Sequence, residues 1–300
     1  MFEKNFSPEW GKGIETKIIL EFMRHGEKEP EGTKPDGELQ LTERGREMAQ
    51  EKGRQLSAQK EVSLTWGSPK KRRTRETVLH AMLPDINKDA NPEEIEEIIS
   101  REQKIGKKFI EDERLDFNFN GPEGKEIDEA FDEETFLRFL VEKSDKRAIE
   151  LQDKESSTYS RFAGNIAEII SRYSAIGDSF NRIASNKDDY KKFGNQMERY
   201  LGTHQGVVEG FVAKVLEKTQ GVEKRNEFID SLGNGFKETE GIRIEVINKG
   251  AEQKIIVNLK INGKTESLEI NRDLIEDIIN ERNEFEKHIA VGTEEGIVKS

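Results

Sequence analysis

The sequence predicts an α/β fold: a three-layer α/β/α sandwich, mostly parallel in its sheet, with an antiparallel edge and a helical cap insertion. Three observations carry that expectation. Buried strand patterns lead through short polar turns into amphipathic helices at residues 16–56, 61–78 and 196–216, the alternation that builds a sheet with helices on its faces. Two β-branched runs, 242–247 and 254–261, bracket a polar turn and read as a hairpin. Between the stretches 61–78 and 196–216 lies a long helical pattern from Phe162 to Ile183.

The first strand is Thr16-Lys17-Ile18-Ile19-Leu20-Glu21-Phe22-Met23, apolar and β-branched with few charges, and it ends in Arg24-His25-Gly26-Glu27. Open α/β sheets bind ligands beyond their strand carboxyl ends. There an imidazole can act as a nucleophile, a guanidinium can grip a phosphate with two donors, and a glycine lets the chain turn. A polar loop, Lys28 to Glu38, carries Pro30, Gly32, Pro35 and Gly37 and stays at the surface. Thr42 is placed as the N-cap of a helix whose inner face holds Gly45, Met48, Ala49, Lys52, Gly53 and Leu56.

Residues 61–66 alternate as a second strand, closed by Gly67-Ser68-Pro69, with Ser68 as N-cap and Pro69 at the first helical position. Lys70-Lys71-Arg72-Arg73-Thr74-Arg75 follows. Such a run reads as a solvated face, as a nucleic-acid patch, or as an anion site at a helix start, where the cations oppose the dipole unless an anion is shared. Residues 92–99 and 126–141 are expected to be helical, and 111–117 a short strand or loop. Phe162, Ile166, Ile169, Tyr173, Ile176, Phe180 and Ile183 form an a/d seam, so that helix is expected to pack along another helix, with the one before it as first choice. The chain is thus expected to be one domain, with a helical insertion at about 118–195 and a C-terminal hairpin plus helix at about 241–290. His204-Gln205-Gly206 again puts a polar group between a strand and a helix.

Composition narrows the classes. With 49 basic and 61 acidic residues the net charge is −12, which argues against general nucleic-acid binding and against an anionic membrane surface. An anion pocket here must be a local positive well. The absence of Cys excludes disulfides, thiolate metal sites and cysteine nucleophiles. No apolar run approaches the roughly 18–20 residues of a membrane span, and Met1 to Phe6 lacks a signal-peptide core, so a soluble cytoplasmic protein is expected.

Four stretches then resemble the histidine phosphatase superfamily, which includes the phosphoglycerate mutases. They are Phe22-Met23-Arg24-His25-Gly26-Glu27, Leu41 to Ala49, Gly67-Ser68-Pro69 with Arg73 to Thr77, and Gly202-Thr203-His204-Gln205-Gly206-Val207-Val208, in family order across residues 17–216. The resemblance implies a phosphate pocket floored by Arg24, His25, a second Arg and His204, with His25 taking the phosphoryl group and no metal or other cofactor required. A transferring phosphoryl group spreads charge over its equatorial oxygens, which fixed cations stabilise. His25 must be neutral to attack, and His204 is more useful protonated. The second Arg is Arg72 by its distance from Ser68 and Arg73 by its spacing to Thr77; helix phase favours Arg73. Neither acid of the known branches is matched, since Phe117 follows Leu115 by two and Gln205 follows His204. Asp116 is therefore the first candidate donor and Glu113 the second. His80 and His288 lie outside the motifs and are read as hydrogen-bonded core or exposed residues.

The expected function is a metal-independent phosphomonoesterase working through a phosphohistidine on a small phosphorylated metabolite, with a homodimer allowed. The competing readings are a mutase-like phosphotransferase, a phosphoprotein phosphatase, and a catalytically weak phosphate-binding regulatory module.

Overall fold

The computed structural model describes residues 14–56, 62–67, 71–102, 109–186, 194–261 and 264–295. Its centre is strand β1 (Glu15–Arg24), which pairs in parallel with β4 (Gln196–Thr203) and antiparallel with β5 (Gly241–Lys249). Outward from β4 come β2 (Val62–Trp66) and β3 (Phe109–Glu111), both parallel; outward from β5 come β6 (Glu252–Ile261) and β7 (Lys264–Ile270), both antiparallel. The order is β3-β2-β4-β1-β5-β6-β7. The α/β class stands as expected, but the sheet is half parallel and half antiparallel. The hairpin gains β7 as a third strand, exposed along most of its length and buried at Ile270.

Period-two alternation sends Ile18, Leu20 and Phe22 of β1 to one face, with Leu201, Ile242, Ile244 and Val246. Helices α7 (Tyr159–Ala184), α8 (Val207–Gln220) and α10 (Arg272–Glu295) cover that face. Met23, Val62, Leu64 and Trp66 point the other way, under α2 (Arg72–Met82) and α3 (Pro92–Glu102). Helix α1 (Glu43–Leu56) packs on α2. The internal charge Glu21, buried at mid-strand, is matched by Lys52 of α1 at 2.6 Å.

Several expectations need correction. The a/d helix, α7, packs on β1 and β5 and lies between α8 and α10, not along the helix before it. It belongs to the main helical layer. The segment 126–141 is broken: α4 (Gly124–Asp132) ends near Glu134 at φ 58°, and the chain resumes as α5 (Phe136–Phe139), a π turn (Leu140–Ser144) and α6 (Asp145–Leu151). A further helix, α9 (Val222–Leu232), follows α8 directly after Gly221. Thr42 does cap α1, its hydroxyl accepting from the Gly45 N–H at 3.0 Å. The roles given to Ser68 and Pro69 lie outside the described residues. No described helix is long and apolar enough to cross a membrane.

His80 on α2 is fully buried, yet neither ring nitrogen has a hydrogen-bond partner, so it is a core residue without the expected bond. Burial, with the Arg46 charge nearby, pushes its pKa down to about 4. An unfolded His binds a proton below about 6.5 and this folded one does not, so acid destabilises the native state between those values. His80→Leu should therefore raise stability more at pH 5 than at pH 8, by on the order of 1–2 kcal/mol. Chemical denaturation at the two pH values measures this; an equal gain at both would show that His80 is not held neutral.

Candidate active site

The parallel pairing of β1 with β4 aligns Arg24 with Thr203 and puts the two following histidines side by side. The His25 N–H donates to the Thr203 carbonyl at 3.0 Å, and the two imidazole rings meet edge to face with centroids 5.3 Å apart. His25 Nδ1 lies 2.8 Å from the Gly26 carbonyl. A carbonyl can only accept, so Nδ1 carries the proton and Nε2 keeps its lone pair. Burial, then His204, Arg73 and Arg24, hold the His25 pKa well below its ordinary value. This imidazole is neutral.

Helix α2 is docked by Thr77, whose hydroxyl accepts from the Gly26 N–H at 3.0 Å and donates to the Arg73 carbonyl at 2.8 Å. That bond fixes the helix phase: Arg73 points inward, 1% exposed, while Arg72 points to solvent. The basic run is thereby divided. Lys71 and Arg73 face the pocket, and Arg75 pairs with Glu93 and Glu96 on α3. Gly26 meets the backbone of Gly45, so α1 crosses the turn after β1 with no room for a side chain.

Arg24 donates to the Phe236 carbonyl at 2.7 Å. The loop bearing Phe236 is held by Glu209 in the first turn of α8, which accepts from the N–H groups of Phe236 and Gly206 at 2.9 Å each. Glu209 was not singled out in the sequence, although an acid in a first helical turn after a glycine is a capping signature. Arg24 Nε, Arg73 Nε and His204 Nδ1 are buried and make no hydrogen bond in the structure. The two guanidinium nitrogens are donors and suit a ligand rich in acceptor oxygens, whereas Nδ1 of the neutral His204, whose Nε2 faces a carboxylate, offers a lone pair.

The acid side is formed by the turn after β3. Leu115 is buried, and its carbonyl accepts from the Thr203 hydroxyl at 2.9 Å. This aims Asp116 at His204, with Oδ1 3.3 Å from Nε2. A Cβ at Gly67 would collide with the Asp116 carboxylate, so only glycine admits this approach. Glu113, the second candidate, is exposed and paired with nothing in the pocket by any described contact. Without ligand, burial first, then Arg73 and Lys71, hold the His204 pKa well below the ordinary value.

Phe117 packs edge-on against His204 at 4.7 Å and stacks on Phe119, while the Lys71 ammonium lies 3.9 Å from the Phe117 ring centre. Asp36, in the loop before α1, accepts from Arg73 and Lys71. Lys71 belongs to the basic run read at the start of this helix, whereas Asp36 joins the site only through long-range contacts and no local pattern marks it. Among the described residues no group of three or more His, Cys, Asp or Glu is arranged to hold a metal. His288 is exposed and remote from these contacts.

No family model and no curated protein matches the chain. Solved structures do. It is similar to a mycobacterial glucosyl-3-phosphoglycerate phosphatase at 12% identity and TM-score 0.44, covering 78% of this chain and 91% of that one. It is similar to a mycobacterial hydrolase at 13% identity and TM-score 0.46, covering 89% and 98%. The phosphoglycerate mutase of Bacillus anthracis str. Sterne matches at 14% identity and TM-score 0.42, covering 89% and 98%. At such identities and scores these likenesses carry no argument for activity.

If Arg73 is the second phosphate ligand, Arg73→Ala should lower kcat/KM on an aryl phosphate by about 10²-fold or more, the scale of one lost transition-state donor. Arg72→Ala should change it less than about threefold, as for a surface side chain. Arg73→Lys, which keeps the charge but not the fork, checks that loss of activity is not loss of fold. The opposite ranking of Arg72 and Arg73 would move the site by one residue.

Proposed function

We propose that the chain is a histidine phosphatase: a phosphomonoesterase that transfers the phosphoryl group to His25 and then to water. The observation that carries this reading is a neutral imidazole pinned through Nδ1, with Nε2 free, beside a buried guanidinium. An in-line nucleophile needs its lone pair held in a fixed direction, and the guanidinium beside it supplies donors for the group it attacks.

In the first half-reaction Nε2 of His25 forms a bond to phosphorus as the ester P–O bond breaks. Positive charge develops on the ring, and the Gly26 carbonyl, accepting from Nδ1, stabilises it. Arg24 and Arg73 supply donors for the equatorial oxygens. The leaving oxygen takes a proton from the Asp116–His204 pair. In the second half water attacks the phosphohistidine, the P–N bond breaks, and the same pair recovers a proton. A phosphate dianion beside His204 counters the burial that keeps the free ring neutral, so substrate favours the charged form. A small phosphorylated metabolite is the proposed substrate class.

Rapid acid-free quenching with labelled substrate should trap a label that acid releases and alkali spares, because phosphoramidates of His behave so. His25→Ala should abolish both label and turnover. Turnover surviving that substitution would sink the reading.

The acid is tested by leaving group. An alkyl alkoxide is strongly basic and needs a proton as the bond breaks, whereas nitrophenolate does not. Asp116→Asn should slow hydrolysis of an alkyl phosphate by about 10²-fold or more and largely spare p-nitrophenyl phosphate. Equal losses on the two substrates would make Asp116 structural.

A further inference from the structure

The pocket already holds an anion of its own. Asp36 sits in a short 3-10 turn, Asp36–Glu38, in the loop between β1 and α1. Both terminal nitrogens of Arg73 reach its carboxylate, at 3.1 Å to Oδ1 and 3.2 Å to Oδ2, and Lys71 contacts Oδ2 at 3.0 Å. Lys28 stands 4.0 Å from Oδ1. A two-point grip of this kind is what Arg offers to either carboxylate or phosphate.

The two sides of the contact are unequal. The Arg73 side chain is 1% exposed and that of Asp36 is 47% exposed. A buried guanidinium without an anion costs several kcal/mol, so Arg73 needs a partner; a carboxylate half in water recovers its hydration when it leaves. Arg73 also donates to the Asp36 backbone carbonyl at 2.7 Å. The carboxylate can therefore swing out by side-chain rotation with the backbone contact kept. Residues 31–36 around it are all exposed, while Leu39 behind them is buried and anchors the loop. Lys71 bridges Asp36 to Phe117, and both imidazoles are nearly shut from solvent. The Arg73 and Lys71 charges, against the cost of burial, hold the Asp36 acid far below the usual carboxylate range, so it remains an anion at every working pH.

We propose that the Asp36 carboxylate is an internal competitor that occupies the phosphate grip of Arg73 and is displaced when substrate binds. This rests on the reading of the pocket as a phosphate site. The apparent affinity for phosphate is then reduced by the fraction of molecules in which Asp36 is out.

The test is calorimetric titration of inorganic phosphate into the whole chain, its Asp36→Asn and Asp36→Ala variants and Arg73→Ala. Removing the charge should tighten phosphate binding by about fivefold or more, and raise kcat/KM on p-nitrophenyl phosphate in parallel. Weaker or unchanged phosphate binding in both Asp36 variants, with Arg73→Ala still abolishing it, would overturn the proposal and leave Asp36 as a positioning residue for Arg73. If the unaltered chain binds phosphate equally well with and without Arg73, the pocket reading fails first. The agreement of the Asn and Ala variants separates loss of charge from loss of packing.

Discussion

Everything at the candidate site depends on one backbone constraint, the parallel ladder between β1 and β4. Parallel strands end on the same edge of a sheet, so residues that follow them in sequence emerge together. Arg24 opposite Thr203 brings His25 against His204 without any side-chain interaction having to arrange it. The core faces of those strands hold the ladder: Ile18, Leu20 and Phe22 are buried among α7 and α8, and a slip of one residue would turn all three away from that layer. The register that satisfies the core is the one that assembles the pair of imidazoles.

What was legible in the sequence follows from this. Arg24, His25 and His204 sit at strand ends, where a short motif and the strand pattern fix both position and direction. Arg73 was recovered through Thr77, because a helix docked at one residue has its phase set for the whole first turn. Other features had no such marker. The α7 seam states that a stripe is buried and says nothing of which neighbours bury it; the structure supplies β1, β5, α8 and α10. Strand β7, Lys-Thr-Glu-Ser-Leu-Glu-Ile, is an edge with nearly all its side chains in solvent, so the apolar alternation that betrays a strand is missing. Asp36 meets Arg73 from 37 residues away, in a loop chosen for turning and not for periodicity.

The electrostatics run against the protein's net charge of −12. A positive well in an acidic chain has to be built from few cations and shielded from the carboxylates around it. Burial does both here, since Arg73 and the two histidines are nearly closed to water and low local polarity strengthens every charge they meet. The same burial strips the protons from His25 and His204. For a nucleophile that is useful. For a ring that is to share a proton with Asp116 it is a cost, and one that only a bound anion removes.

Proton count and anion binding are therefore coupled in the proposed reaction. The Asp116–His204 pair can give up a proton only if it arrives with one to spare. In the free pocket His204 is neutral, and the Asp36 charge reaches it while being spent on Arg73 and Lys71. A phosphate dianion in the grip of Arg73 brings two charges where Asp36 brings one. The exchange of Asp36 for phosphate thus does more than fill the grip of Arg73. It raises the proton affinity of His204 at the moment the leaving oxygen requires a donor, so that imidazole is neutral while the pocket is empty and can hold a proton to give once it is loaded.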